Sequence, residues 1–304
     1  MAFEADLLLE RRRLKRRLLL WRVLAILALM VGAVALIERE RGDVGLGDYV
    51  ARLEVSGLIL SDPDRDEALA EVAKSSRAKA LIVRIDSPGG TVVGGESLHR
   101  ALRRVAEKKP VVAVMLETAA SAAYMTALAA DQIVAHEGTV TGSIGVLMQH
   151  ADLTSMLDKL GIKPETIKSA PLKATPNPLE PLTEEGRRAA RAVVLDMYDM
   201  FVAMVAERRG LEREKARGLA DGRVFTGRQA KAEGLIDRIG GEAEARAWLA
   251  EAHGIAATTP VHEVKIDRED GWWRELSDKA LGKSWVSSGL RLDGLVAVWQ
   301  PVGN

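Results

Sequence analysis

Residues 111–146 read VVAVMLETAASAAYMTALAADQIVAHEGTVTGSIGV. The stretch opens on a continuous apolar run, passes through alanines and closes among glycines. An apolar run of this length without polar alternation is what a strand covered on both faces needs, so Val111–Leu116 is expected to be a central strand. The alanine-rich Ser121–Ala130 is expected to be helical, and Gln132–Ala135 to return to the sheet. One serine, Ser121, falls where that strand hands over to that helix.

The same cadence extends in both directions. Upstream, Tyr49–Val55 reads as a first strand, Asp64–Lys74 as a short helix and Ala80–Asp86 (ALIVRID) as a second buried strand. Glu96–Glu107 places Leu98, Leu102 and Val105 on one helical face. Downstream, Asp152–Leu160 reads as a helix with Asp152 as its cap and Gly161 beyond its end. Prolines 164, 171, 176, 178 and 181 then forbid regular structure across residues 160–182. Thr183 is expected to cap a long helix to Arg209, with Glu184 and Glu185 near its positive end. Its stripe of Val193, Met197, Met200, Phe201 and Met204 reads as core. Thr226 begins a short helix, residues 234–236 read as a short strand, Gly241–His253 as a helix and Val261–Ile266 as a strand. Strands and helices in this order imply an α/β fold of crossover units around a mostly parallel sheet.

The two ends differ from this body. Arg11–Arg17 is basic, and Leu18–Ile37 is apolar apart from Arg22, which lies shallow enough to snorkel. The basic side is expected to stay in the cytoplasm and the bulk of the chain on the far side. The expected organisation is a basic segment 1–17, a transmembrane anchor 18–37, a linker 38–48, a catalytic body 49–253 and an extension 254–304. Ala33-Val34-Ala35 also fits a signal peptidase cleavage site. The extension carries Trp272, Trp273, Trp285 and Trp299, which suit either a cap on the core or a subunit or membrane-surface contact. Lys plus Arg equals Asp plus Glu at 43 each, so nothing in the net charge favours a nucleic-acid partner. There is no cysteine, which excludes a thiol nucleophile and disulfides.

Three segments carry residue types suited to chemistry. In Asp86-Ser87-Pro88-Gly89-Gly90 a buried strand ends in two glycines, whose N–H groups can either serve a tight turn or face a cleft as oxyanion donors. Ser121 is either a helix cap or a nucleophile. A hydroxyl nucleophile needs a base, and none of His99, His136, His150, His253 and His262 lies beside a clear acid partner. A lysine amine can serve once it has lost its proton, which burial in an apolar cleft favours. Lys173, between Leu172 and Ala174 in the proline-bounded loop, is either such a base or a surface lysine. Ser143, in TGSIG, is either a turn residue or a hydroxyl that holds the amine.

LIVRIDSPGG, AASAAYMTALAADQIVAHEGTVTGSIGV, the lysine of KSAPLKATPNP and LADGRVFTGRQAKAEGLID together resemble the signal peptide peptidase A family, peptidase family S49, in its short single-domain form. The resemblance spans about residues 50–245. It implies a fold like ClpP and crotonase, built of β-β-α or β-α-β units and preceded by one N-terminal transmembrane helix. It implies a serine–lysine dyad of Ser121 and Lys173, with Ser143 orienting the lysine and Gly89, with its neighbour Gly90, in the oxyanion hole. Val92, Val93 and Met148 are the expected walls of a substrate pocket. The implied substrates are apolar peptides such as signal-peptide remnants, cleaved outside the inner membrane by a homo-oligomeric ring or dome that uses no metal or other cofactor. In one place the chain departs from the family's usual SGGYY: here Ser121-Ala122-Ala123-Tyr124-Met125 adds two methyl groups, expected to narrow the pocket. Two other readings are a membrane-tethered scaffold with a decayed site and a crotonase-like acyl-CoA enzyme.

Overall fold

The computed structural model describes residues 17–32, 47–266 and 296–298. They fall in two compact units, Met1–Asp48 and Tyr49–Asn304. In the first, residues 17–32 form a helix (α1). Residues 33–37 of the expected anchor, nearly all of the basic run, the Ala33–Ala35 cleavage motif and the four tail tryptophans lie outside the described residues. Among the described residues no helix is long and apolar enough to cross a membrane.

The second unit runs β1 (Tyr49–Ile59), α2 (Pro63–Lys74), β2 (Ala78–Thr91), α3 (Val92–Ala106), β3 (Val111–Ala120), α4 (Ala122–Ala127), β4 (Gln132–Ala135), β5 (Val140–Gly142), α5 (Thr154–Lys159), α6 (Glu184–Arg209), α7 (Arg213–Leu219), β6 (Val224–Thr226), α8 (Gly227–Ala232), β7 (Arg238–Ile239), α9 (Glu242–His253), β8 (Val261–Glu263) and β9 (Val296–Val298). The strands join in one mixed sheet of order β6-β5-β3-β2-β1-β8, with β4 between β3 and β7, and β9 on β2. The β1–β2, β2–β3, β3–β4 and β1–β8 pairs are parallel. The last expected helix is therefore followed by two further strands of the same sheet.

Strand alternation divides the core between the two faces of this sheet. Leu53, Leu81, Val83, Ile85, Ala113 and Met115 face one apolar layer, under α2, α3, α4 and α6. Val50, Ala80, Ile82, Val112 and Val114 face a thinner one, closed by Ala245 and Leu249 of α9. Both faces of β2 and β3 are covered, which is why their sequences show no polar alternation. Each of the larger side chains among them (Val, Leu, Ile, Met) contributes about 1.5–3 kcal/mol on removal from water.

Several boundaries differ from the sequence reading. β2 continues past Asp86 to Thr91, because Gly89 and Gly90 still pair with Leu58 and Ile59 of β1. Helix α3 then starts at Val92, capped by the Thr91 hydroxyl, which accepts from Gly94 N. No strand forms over residues 234–236. Gly234 turns at φ +81° after α8 and Leu235 N donates back to Ala230 O, so Leu235 and Ile236 bury their side chains from a loop; the short strand is Arg238–Ile239. Along α6 only part of the expected stripe is core: Phe201 is buried, whereas Val193 is 45% exposed.

Where β3 leaves β2 the site takes shape. β3 pairs with β2 through Met115, bulges over residues 116–118 and meets it once more at Ala119, opposite Ser87. The Asp86 carboxylate fills the gap by accepting from Thr118 N at 3.1 Å. The bulge re-aims the strand end: residues Thr118–Ala120 now pair with β5 on their other side. Beyond Ser87 the β3-side edge of β2 is left to β9, which pairs antiparallel with Gly89–Thr91.

Candidate active site

Ser121 is the residue that joins β3 to α4. It is 1% exposed, its φ is 59° and ψ −120°, and its side chain does not cap the helix. A β-carbon at such a φ is strained, at a cost of about 1–3 kcal/mol. The neighbouring backbone fixes it: Ser121 N donates to Gly142 O at 2.8 Å, and Met125 N donates to Ser121 O at 2.9 Å. The ordinary role of a serine in this place is thus unused, and its hydroxyl is spare.

α4 is held from both ends. At its start Ala122 and Ala123 are fully buried, and Ala122 packs against Val92. The two added methyl groups therefore go into the core instead of narrowing a pocket. α3 makes room with Gly95, where a β-carbon would lie 3.0 Å from that of Ala122. At its far end the orphan carbonyls of residues 128–130 accept from guanidinium groups. Arg208 donates to Leu128 O and Ala130 O, at 2.8 and 3.0 Å, and Arg103 donates to Ala129 O at 2.9 Å. Within the helix, the buried Tyr124 hydroxyl donates to Leu235 O at 2.8 Å; burial pushes its pKa up.

Ser143 follows Gly142, the residue that accepts the Ser121 amide. Its φ is 48°, and its N–H donates to Arg223 O at 2.8 Å. Arg223 is held in its turn by Asp221, whose carboxylate accepts from Arg223 N at 3.1 Å and pairs with the guanidinium. A chain of backbone bonds thus joins Ser121, Ser143 and the ADGRVFTG segment through β5 and β6. These three-residue strands carry no sequence pattern of their own, and only their pairing reveals them.

At the glycine turn, Gly89 has φ +116°. Its N–H donates to the buried Ser87 hydroxyl at 3.1 Å. Thr91 follows, then Val92, which is buried against Ala122, and Val93, which is exposed, as is Met148. Of the three expected pocket residues Val92 is thus core, while Val93 and Met148 are exposed. Ser87, Asp86, Arg103 and Arg208, whose hydrogen bonds hold the ends of β2, β3 and α4, were not singled out in the sequence. Ser87 stood in the SPGG segment but carried no signal apart from it.

Among the described residues no hydrogen bond joins Lys173 to Ser121, and the lysine is exposed where the serine is buried. Lys173 lies in a turn whose next residue, Ala174, has φ 56°. Asn177 donates to Ala174 O at 3.0 Å, Leu153 N donates to Pro178 O at 3.0 Å, and Lys168 pairs with Glu180, so the loop has its own order. Sheet pairing brings Ser121, Ser143 and Gly89–Gly90 to neighbouring ends of β3, β5 and β2, and no hydrogen bond among the described residues ties Lys173 to them. A cavity of about 490 Å³ opens among Asp86, Leu116, Glu117, His136, Gly138 and Thr139, and includes none of these residues.

Residues 103–256 match the family model for peptidase family S49. A "Putative protease slr0021" of Synechocystis sp. is 40% identical over 207 residues, covering 68% of this chain and 75% of that protein. A "Putative signal peptide peptidase SppA" of Enterococcus faecium is 32% identical over 173 residues, covering 57% of this chain and half of the other. Among solved structures, the "1510-N membrane-bound stomatin-specific protease S97A mutant" superposes with a TM-score of 0.50 at 16% identity, over 73% of this chain and all of that one, which speaks to the fold alone. With a matched segment that holds the strained serine, the whole of the lysine loop and the ADGRVFTG block, the chain belongs to peptidase family S49 and is a serine protease of the signal peptide peptidase kind.

Proposed function

We propose that this protein is a membrane-anchored endopeptidase that cleaves apolar peptides, such as signal-peptide remnants, with Ser121 as nucleophile and Lys173 as general base. The observation that carries this reading is conformational. Among the described residues, the non-glycine positions with positive φ are Ser121, Ser143 and Ala174. They are the nucleophile, the lysine-orienting serine and the neighbour of the lysine. Strain concentrated in this way marks positions fixed for chemistry.

In the mechanism, the uncharged Lys173 amine takes the Ser121 proton as Oγ attacks the scissile carbonyl. A glycine N–H at the end of β2 stabilises the oxyanion. The lysine ammonium then protonates the leaving amine, and water, activated by the regenerated amine, releases the acyl group. The substrate lies as an extended strand along the edge of Gly89–Thr91, the edge on which β9 pairs, with side chains against Val93 and Met148.

Lys173 joins the site from a neighbouring copy. Its loop and the flanking elements expose Met156, Leu160, Ile162, Ile167 and Leu172, with Ile167 94% exposed, an apolar surface suited to burial against a second chain. Residues 18–37 hold the assembly to the inner membrane with the N-terminus cytoplasmic and the catalytic body outside, which brings the site near substrates left in the bilayer.

Ser121→Ala and Lys173→Ala proteins, each folded and assembled as wild type, are expected to lose at least about 10³-fold in turnover of an unstructured apolar peptide in detergent. Mixing the two under subunit exchange is expected to restore part of the activity. Wild-type turnover by either variant ends the dyad, and mixed assemblies that stay inactive end the exchange of lysines between copies.

A further inference from the structure

Ser87 is fully buried at the point where β2 loses β3 as a neighbour. Its hydroxyl donates to Gly57 O at 2.6 Å and accepts from Gly89 N at 3.1 Å; the same oxygen lies 3.3 Å from Gly89 O. Gly57, at φ +65°, is the turn in β1 where the β1–β2 register shifts, between Ser56 and Leu58. The serine therefore bridges an irregularity in each strand and supplies the bond that the ladder loses there.

The direction of that bond has a consequence for the reaction. The Gly89 amide points to the β1 side and already has a partner, so it has none to offer a substrate. Gly89 leaves the extended region at φ +116°, and the next residue, Gly90, pairs with Ala297 of β9 on the edge where β3 has departed. A β-carbon at Gly90 would fall 1.9 Å from Ile59 O, so the backbones of β1 and β2 approach so closely there that only glycine fits. Ser121 flanks the same edge, two residues after Ala119, the partner of Ser87.

We infer that Ser87 is a positioning residue of the proteolytic site: its hydroxyl commits the Gly89 amide to the sheet and thereby presents the Gly90 N–H to the carbonyl that Ser121 attacks. The inference rests on Ser121 as nucleophile, and it assigns the oxyanion donor to Gly90 in place of Gly89. Two consecutive glycines have little torsional preference of their own. Without the Ser87 hydroxyl the Gly89 amide would lose its buried partner, and the peptide units around it could turn to find another, taking the Gly90 donor out of line. An oxyanion donor is effective because it is fixed beforehand.

The test compares wild type, Ser87→Ala, Ser87→Cys and Ser121→Ala on one apolar peptide. It adds two inhibitors of the same sequence: a peptide aldehyde, which forms a hemiacetal with the nucleophile, and the corresponding alcohol, which does not. Ser87→Ala is expected to lower kcat by about 10–100-fold, part of the loss from deleting such a donor outright. KM and affinity for the alcohol should stay within about threefold, and aldehyde affinity should fall in step with kcat. Ser87→Cys, equal in shape but a weaker hydrogen-bonding partner, should lie between. Should the alanine protein fail to fold, the cysteine protein decides by the same ratios. The inference is overturned if kcat stays within about threefold of wild type in the folded variants. It is also overturned if aldehyde and alcohol affinities fall together, or if neither variant folds, which would make Ser87 purely structural. Wild-type turnover by Ser121→Ala would instead remove the nucleophile assignment, and this inference with it.

Discussion

Ser121, Ser143 and Ala174 hold φ angles of 59°, 48° and 56°, and packing elsewhere must carry that strain. Ser121 could be picked out in the sequence because it follows an apolar run; that it forgoes capping could not, since capping is a matter of φ, ψ and one hydrogen bond. Behind α4 sits a second residue whose state the fold decides. His99 on α3 is buried, its Nε2 has no partner, and the guanidinium groups of Arg208, Arg103 and Arg100 surround it. Burial first, and those charges second, push its pKa down to about 4. Above pH 6.5 the imidazole is neutral in both folded and unfolded chains and adds nothing to the pH dependence. Between pH 6.5 and 4 only the unfolded chain takes up the proton, so stability falls as pH falls, by up to about 3 kcal/mol. Melting curves from pH 7 to 4.5 should show His99→Gln losing less stability than wild type, with the gap opening below pH 6.5. Parallel curves would mean that the folded imidazole protonates normally.

At the level of elements, the end of β2 is where the proposed mechanism receives a peptide. Sequence patterning stops this strand at Asp86, because serine, proline and two glycines read as a turn. The strand goes on because those glycines let it run against β1: at Gly94, just inside α3, a β-carbon would still lie 2.5 Å from Ile59 O. Close approach of two backbones leaves no periodic trace, and neither do strands as short as β5 and β6. The long apolar runs of β2 and β3, the Thr183 cap and the proline loop were legible for the opposite reason, since each follows from local chemistry. The register of β9 on Gly89–Thr91 has a measurable effect. In the proposed binding mode the substrate strand takes the same edge, which a chain shortened to end at residue 295 should leave free. Its KM for an apolar peptide is expected to fall severalfold with kcat unchanged. An unchanged KM would show that β9 and the substrate do not compete.

In the whole molecule, the described chain joins a dense two-layered body to a polar loop and helix that leave apolar side chains uncovered. Leu172 is 40% exposed beside the lysine, and Val193 and Leu195 are 45% and 47% exposed on α6. Ser121 is buried and Lys173 is exposed, so on the proposed reading the single chain is complete as a fold and its catalytic pair is completed by assembly. The division also bears on what the sequence could convey: candidate residues were nameable from their segments, whereas the burial of Ser121 and the exposure of Lys173 are properties of the folded arrangement. The assembled protein can be challenged with an activated ester of an apolar acid that acylates quickly and deacylates slowly, followed by peptide mapping. The account predicts one acyl group per chain, on Ser121, and none in the Ser121→Ala protein; an acyl group on any other residue, or undiminished ester and peptide hydrolysis by Ser121→Ala, would contradict it.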